Sequence, residues 1–193
     1  ETYIYSRYRN PTVAEAENAI MQIEKSEWSL LTQSGMAAID TALSVFQEAD
    51  KDQKWLFFSE IYGGTNSYID NVLIKRRGIG IQRFYADDGK YDIKKYEQIL
   101  KTEKTTLVYF EAVSNPMLVV ADARKIISLA KEYGAVVIVD NTFATPRLWK
   151  PLNDGADIVI HSATKYFAGH GNITAGALSG NCPEIEKAAI EYR

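Results

Sequence analysis

The hydrophobic positions of this chain alternate between helical spacing and short unbroken runs. Val13, Ala16, Ile20 and Ile23 recur at steps of three or four residues, which predicts an amphipathic helix that begins near Asn10 and buries this stripe. The same spacing predicts two further helices: Met36, Ile39, Leu43 and Phe46 after Ser34-Gly35, and Ile126, Ile127, Leu129 and Ala130 before Tyr133-Gly134.

Four apolar runs, at residues 55–58, 107–110, 136–139 and 158–160, are continuous rather than alternating. Such runs are typical of strands that helices cover on both faces. Strand, helix and strand in succession predict a mainly parallel sheet with right-handed crossovers, so the predicted fold class is α/β, with a mainly parallel sheet flanked by helices. Because no linker or internal repeat interrupts the pattern, we expect residues 1–193 to form one domain.

Composition and charge narrow the class of partner. The chain has 22 Lys+Arg and 25 Asp+Glu, a formal net charge of −3, and no long basic run, which disfavours nucleic acid or an anionic membrane. The apolar runs are far shorter than the ~18 residues of a membrane span, and no signal peptide is expected. The single cysteine, Cys182, suits a reducing cytoplasm. His161 and His170 lack further ligands at metal-binding spacing, so no metal site is expected.

The polar residues that follow the apolar runs are the candidates for chemistry, because ligands bind at the carboxyl ends of parallel strands. Asp140 ends one run, where an unpaired carboxylate would be costly to bury. It either caps the next turn, pairs with an arginine, or faces a cationic ligand. Lys165 follows the next run between hydroxyl residues, and it is either a surface charge or, if partly desolvated, a nucleophilic amine. Ser162 and Thr164 are either turn hydroxyls or donors to an anion.

Three further segments carry weaker signals. Ser34-Gly35-Met36 opens a predicted helix, whose free N–H groups and dipole favour a phosphate. Tyr62 precedes two glycines, and its ring either covers a planar ligand or is simply a surface aromatic. Asn115 precedes a proline that fixes its backbone, although most such pairs are loop starts.

Together these segments resemble the pyridoxal-phosphate enzymes of the cystathionine/methionine γ-lyase family. The matching stretches occur in family order over nearly the whole chain: Tyr5-Ser6-Arg7, Asn10-Pro11-Thr12, Ser34-Gly35-Met36-Ala37-Ala38, Tyr62-Gly63-Gly64-Thr65, Ser114-Asn115-Pro116, Asp140 to Pro146, Ser162-Ala163-Thr164-Lys165-Tyr166 and Gly169-His170-Gly171.

The resemblance implies a cofactor, pyridoxal 5'-phosphate, and a role for each matched position. Lys165 would bind the cofactor as a Schiff base and move protons, Asp140 would pair with the pyridinium nitrogen, and Tyr62 would stack on the ring and assist catalysis. Phosphate contacts would come from Gly35, Met36, Ser162 and Thr164, and from Tyr5 and Arg7 of a neighbouring subunit, and Asn115 would lie near the phenolic oxygen. Shared sites imply a homodimer or homotetramer.

The family's members extend well beyond Arg193, into a smaller domain that carries the arginine for the substrate carboxylate. By this resemblance residues 1–193 are the large cofactor-binding domain of fold-type I, with its N-terminal arm, from a longer chain, and the arginine cannot be placed. The subfamily features disagree. Gly64 matches cystathionine lyases and synthases rather than methionine γ-lyases, whereas the segment from Gly169 to Gly176 is closer to methionine γ-lyases, apart from Asn172 in place of an acid.

The expected function is therefore elimination on a sulfur amino acid, methionine γ-lyase-like, giving α-ketobutyrate, methanethiol and ammonia. The alternatives within the family are cystathionine γ- or β-lyase, cystathionine γ-synthase and O-acylhomoserine sulfhydrylase. Two alternatives of other classes are a non-catalytic fragment that retains the fold and a different doubly wound protein that binds a nucleotide at the same sheet edge.

Overall fold

The structure is a computed structural model that describes residues 3–6, 9–48 and 53–193, and within these residues helices alternate with strands. The strands are β1 (Trp28–Thr32), β2 (Lys54–Phe58), β3 (Gly80–Phe84), β4 (Leu107–Glu111), β5 (Val136–Asp140), β6 (Ile158–His161) and β7 (Gly176–Gly180). The helices are α1 (Pro11–Glu24), α2 (Gly35–Ser44), α3 (Gly63–Tyr68), α4 (Ile93–Glu103), α5 (Ala123–Glu132), α6 (Thr145–Leu148) and α7 (Pro183–Tyr192). A π-helical segment (Ile69–Ile74) extends α3, and a 3₁₀ turn (Pro151–Asp154) precedes β6.

The strands form one sheet in the order β1-β7-β6-β5-β4-β2-β3. The four predicted runs lie in its centre as β2, β4, β5 and β6, and they are parallel, which confirms the α/β prediction. Strand β7 runs antiparallel to both of its neighbours, β1 and β6. The carboxyl ends of β1, β4, β5 and β6 therefore meet at one edge, where the first residues of β7 also lie.

Both faces of the sheet are covered, which explains the continuous apolar runs. In β2, Phe57 packs with α2 on one face, whereas Phe58 belongs to a separate cluster on the other. Tyr109 and Phe110 of β4 divide in the same way. Helices α2 and α7 contribute to the first cluster, and α4 and α5 to the second. Of the helices in the described ranges, none is long and apolar enough to cross a membrane.

Helix α1 forms where it was predicted, and of the predicted apolar stripe Ile20 is buried. Asn10 caps it by accepting hydrogen bonds from the amides of Thr12 and Val13. Its buried residues are Ala14, Glu17, Ile20 and Glu24, while Val13, Ala16 and Ile23 are exposed. Compared with the predicted stripe, the helix is rotated about its axis so that two glutamates are buried, each with a specific partner. Glu17 accepts from the amide of Leu31 and pairs with Arg193, and Glu24 contacts His161.

Candidate active site

A cavity of about 280 Å³ opens at the carboxyl ends of β4, β5 and β6, beside the first turn of α2. Its volume is near the lower end of the ~300–1,000 Å³ range of small-molecule sites. Eight of the predicted site residues line it: Gly35, Met36, Tyr62, Asn115, Asp140, Ser162, Thr164 and Lys165. Tyr5 does not, since it lies exposed in the N-terminal segment, and Arg7 falls outside the described residues.

Asp140 ends β5 and is buried at the cavity. Its Oδ1 accepts hydrogen bonds from the backbone amide of Thr142 at 3.0 Å and from the Thr142 hydroxyl at 2.6 Å, so it does cap the following turn. Its Oδ2 accepts only a longer bond, 3.3 Å, from the phenol of Tyr109. Burial raises the pKa of Asp140, and the bonds from Thr142 oppose that rise. Among the described residues no lysine or arginine pairs with it, which leaves a cationic ligand as the natural partner.

Glu111 is a second buried acid at this edge, and we did not predict it as a site residue. It ends β4 and lies directly beside Asp140 in the parallel register of β4 and β5. Its carboxylate accepts hydrogen bonds from the backbone amides of Tyr62, at 2.7 Å, and Asn115, at 2.9 Å. Burial, together with the negative charge of Asp140, raises the pKa of Glu111 to about 8.

Thr142 links Asp140, at the end of β5, to Ser162 in the loop after β6, and it was also missing from the predicted site residues. Its hydroxyl donates to Asp140 and accepts from the backbone amide of Ser162 at 2.8 Å. One side chain therefore sets the position of Asp140 relative to the loop after β6.

Lys165 lies in the turn that follows β6, and it lines the cavity as an exposed residue. Its backbone amide donates to the carbonyl of Ser162 at 3.1 Å, which tightens the turn. Lys165 is exposed in this turn, whereas the neighbouring Ser162 and Thr164 are half-buried. The Thr164 hydroxyl bonds to both the carbonyl and the amide of Ala175, at 3.0 and 2.9 Å, and so joins this loop to the start of β7.

The first turn of α2 lies against the loop after β6. The side chain of Ser34 caps the helix by accepting from the amide of Ala37 at 3.1 Å. A Cβ atom at Gly35 would lie 2.8 Å from Cβ of Ser162, so only glycine allows the two backbones to approach this closely. The N-terminal amides of a ten-residue helix and a serine side chain thus face the same space, an arrangement that suits a phosphate group.

Tyr62 and Asn115 extend from the two loops that Glu111 holds. The Tyr62 side chain is 49% exposed at the start of α3 and lies close to Gly64, where a Cβ atom would overlap Cε1 of its ring. The peptide bond between Asn115 and Pro116 is cis. Both residues line the cavity, so their positions are compatible with contacts to a planar ligand.

The residues present fit pyridoxal 5'-phosphate. The glycine and serine cradle at α2 suits its phosphate. Asp140, a buried acid with no lysine or arginine partner among the described residues, suits a protonated ring nitrogen, and the lysine that lines the cavity suits an aldehyde. An aromatic ring in the same cavity can cover a planar heterocycle.

Comparison with known proteins agrees with this geometry. The profile of the family described as Cys/Met metabolism PLP-dependent enzyme matches residues 1–192. The chain is 37% identical over 193 residues to a chloroplastic mimosinase of Leucaena leucocephala, covering 99% of this chain and 41% of that protein. It is 40% identical over 183 residues to a cystathionine beta-lyase of Lactococcus lactis subsp. cremoris, covering 95% and 46%.

A crystal structure of cystathionine gamma synthase from Xanthomonas oryzae pv. oryzae, in complex with cystathionine, superposes on the whole chain with a TM-score of 0.87, 31% sequence identity and 48% coverage of that chain. Further relatives are named cystathionine gamma-lyase and L-methionine gamma-lyase, so similarity does not single out one reaction. The chain spans less than half the length of the curated relatives described here.

Proposed function

Because the chain belongs to the Cys/Met metabolism PLP-dependent enzymes, whose cofactor is pyridoxal 5'-phosphate, we propose that it is the cofactor-binding large domain of a carbon–sulfur lyase or synthase that acts on a sulfur amino acid. The observation that carries this proposal is the meeting of Asp140, Ser162 and Lys165 with the N-terminus of α2 around one cavity. The nucleotide-binding alternative explains neither the buried acid nor the lysine that lines the cavity, and turnover by the full-length protein decides against the non-catalytic one.

The chain's own residues divide the work as follows. When bound, pyridoxal phosphate would supply an electron-withdrawing ring that acidifies the Cα–H bond of the amino-acid substrate. Lys165 Nζ would hold the cofactor through its aldehyde, and the same amine would take the proton from Cα of the substrate. Asp140 holds the ring nitrogen in its protonated form, and the ring of Tyr62 covers the heterocycle. Gly35, Met36, Ser162 and Thr164 bind the phosphate.

Within this class we propose methionine γ-lyase-like elimination, which the segment from Gly169 to Gly176 supports. Methionine and water would give α-ketobutyrate, methanethiol and ammonia. A specific observation favours the second candidate, a cystathionine lyase or synthase. The Tyr62 ring occupies the space that a side chain at residue 64 would need, so Gly64 fits this structure and a cysteine there would displace the ring.

We also propose that the active sites are shared between subunits of a homodimer or homotetramer. In support of this proposal, Tyr5 is 55% exposed and does not line the cavity of its own chain. Mixing Tyr5→Ala and Lys165→Ala subunits would then restore about a quarter of the wild-type activity, because half of the dimers would be mixed and each would contain one intact site. No recovery on mixing would contradict shared sites. The cytoplasmic location stays a prediction.

Borohydride reduction followed by peptide mapping tests the central assignment in the full-length protein. The peptide that contains Lys165 should carry the pyridoxyl label, and Lys165→Ala should lose both the label and turnover. Lys187→Ala, an exposed change on α7, should lose neither. Assays with methionine, cystathionine and O-acetylhomoserine, run side by side, distinguish the candidate reactions. A label on another lysine would refute the assignment.

A further inference from the structure

Glu111 has a set of contacts that the proposed assignment does not require. It is 6% exposed, it lines the cavity, and its two carboxylate oxygens accept from two different loops. Oε1 takes the amide of Tyr62, and Oε2 takes the amide of Asn115. A single carboxylate therefore fixes the backbones of two residues that extend into the same cavity. Two N–H donors favour the ionised form of this side chain.

The side chains around Glu111 oppose that ionised form. Asp140 lies beside it on β5, and the other titratable groups that face it are two phenols, Tyr91 from the loop before α4 and Tyr109 from β4. Tyr91 also interacts with another acid, Glu60, through a side-chain hydrogen bond. In the part of the chain that the structure describes, no lysine or arginine pairs with Glu111. His161 on β6 lies near Asp140, and Lys165 lines the same cavity.

A cation beside Asp140 would favour the ionised form of Glu111 over its protonated form. With a pKa of about 8, Glu111 is about three-quarters protonated at pH 7.5 when the cavity is empty. A protonated ring nitrogen beside Asp140 neutralises the charge that repels the Glu111 carboxylate, and the two amide donors then stabilise its ionised form.

We propose that Glu111 is a positioning residue for the cofactor. Glu111 carries a proton in the cofactor-free protein and releases it when a cationic ring nitrogen binds beside Asp140. The O–H bond of Glu111 breaks, and its proton goes either to the buffer or to a ring nitrogen that arrives unprotonated. The ionised carboxylate then holds the loops of Tyr62 and Asn115 around the ring. This inference rests on the proposed cofactor site.

Proton release can be counted by titration calorimetry in the full-length protein freed of cofactor. The probe is 4'-deoxypyridoxine 5'-phosphate, which has the ring nitrogen and the phosphate but no aldehyde, so that Lys165 cannot react. Titrations at pH 7.5 in HEPES and in Tris give the number of protons exchanged with the buffer. The wild type should release about 0.75 proton more than Glu111→Gln, whichever group receives the proton.

Glu60→Gln is the matched control, because Glu60 also accepts a backbone amide, that of Ala86, but does not line the cavity. It should release as many protons as the wild type. Equal release by the wild type and Glu111→Gln would overturn the inference. If Glu111→Gln does not fold, benzyl phosphate, which lacks the ring nitrogen, replaces the variant. The proton that the analogue's ring nitrogen takes up, read from its ultraviolet spectrum, is then added to the release measured in the buffer. This sum should exceed the release with benzyl phosphate by about 0.75 proton, and equal values would overturn the inference.

The two proposals fail in different ways. If the analogue does not bind to the wild type, both the cofactor site and the role of Glu111 are refuted. If it binds without the additional proton release, only the role of Glu111 is refuted.

Discussion

Replacing Thr142 with valine should weaken both the fold and the cofactor site, because valine has the same shape but lacks the hydroxyl. The hydroxyl makes two bonds, 2.6 Å to Asp140 and 2.8 Å to the amide of Ser162. The loss of one bond to an acid and one to a half-buried amide should lower the free energy of unfolding by about 2–4 kcal/mol.

The same change should reduce cofactor affinity. The Thr142 bond opposes the rise that burial causes in the pKa of Asp140, so without it Asp140 is less ionised and holds a cationic nitrogen less well. We expect a loss of about 10- to 100-fold in the affinity for 4'-deoxypyridoxine 5'-phosphate, equivalent to about 1.4–2.7 kcal/mol. Urea denaturation measures the first effect, and calorimetric titration at neutral pH measures the second.

Thr106→Val provides the comparison, because the Thr106 hydroxyl makes one longer bond, 3.3 Å, to the carbonyl of Lys54 at the opposite end of the sheet. It should cost about 1 kcal/mol or less and leave affinity unchanged. Thr142→Ser, which keeps the hydroxyl, should restore most of the affinity. If Thr142→Val bound the analogue as tightly as the wild type, the proposed link between Thr142 and Asp140 would be wrong.

Two other predictions concern stability. Glu24→Leu should lower the free energy of unfolding by about 2–4 kcal/mol, since it leaves the buried His161 without its partner at 2.5 Å. Glu15→Leu, on the exposed face of α1, should change the free energy of unfolding by about 0.5 kcal/mol or less, and similar losses in the two variants would show that the Glu24–His161 pair is unimportant. Without cofactor, stability should fall by about 3.5 kcal/mol as pH rises from 5 to 8, because the raised pKa of Glu111 means that the folded state binds more protons than the unfolded state in this range. A urea series that shows Glu111→Gln declining as steeply as the wild type would contradict this.

The centre of the fold was predictable because buried parallel strands leave an unmistakable pattern, whereas its edges were not. Strand β7 has the sequence Gly-Ala-Leu-Ser-Gly, in which two glycines suggest a turn. The structure explains both glycines by contacts with distant residues. A Cβ atom at Gly176 would overlap the backbone carbonyl of Ser34, and one at Gly180 would lie 2.5 Å from the Trp28 ring. Strand β3, at the other edge, is only partly buried and so lacks a continuous apolar run.

The candidate site, too, could be predicted only in part from the sequence. Asp140, Ser162 and Lys165 could be identified because each follows an apolar run. The contacts of Glu111 and Thr142 could not, since they depend on β4 lying beside β5 and β5 beside β6 in a particular register. A strand order of this kind is set by packing between distant segments, which no local pattern records.

The pairing of β1 with β7 has a consequence for how the molecule is made. Strand β1 leaves the ribosome about 150 residues before its hydrogen-bonding neighbour β7, with Trp28 opposite Gly180. Until that segment is synthesised, β1 has no strand to pair with and α2 lacks its contacts with β7. The turn at Ser34 and Gly35, which packs against Gly176, is then incomplete. Contacts so distant along the chain slow folding. A nascent polypeptide should therefore acquire vitamin B6 only after the strand at 176–180 has been added.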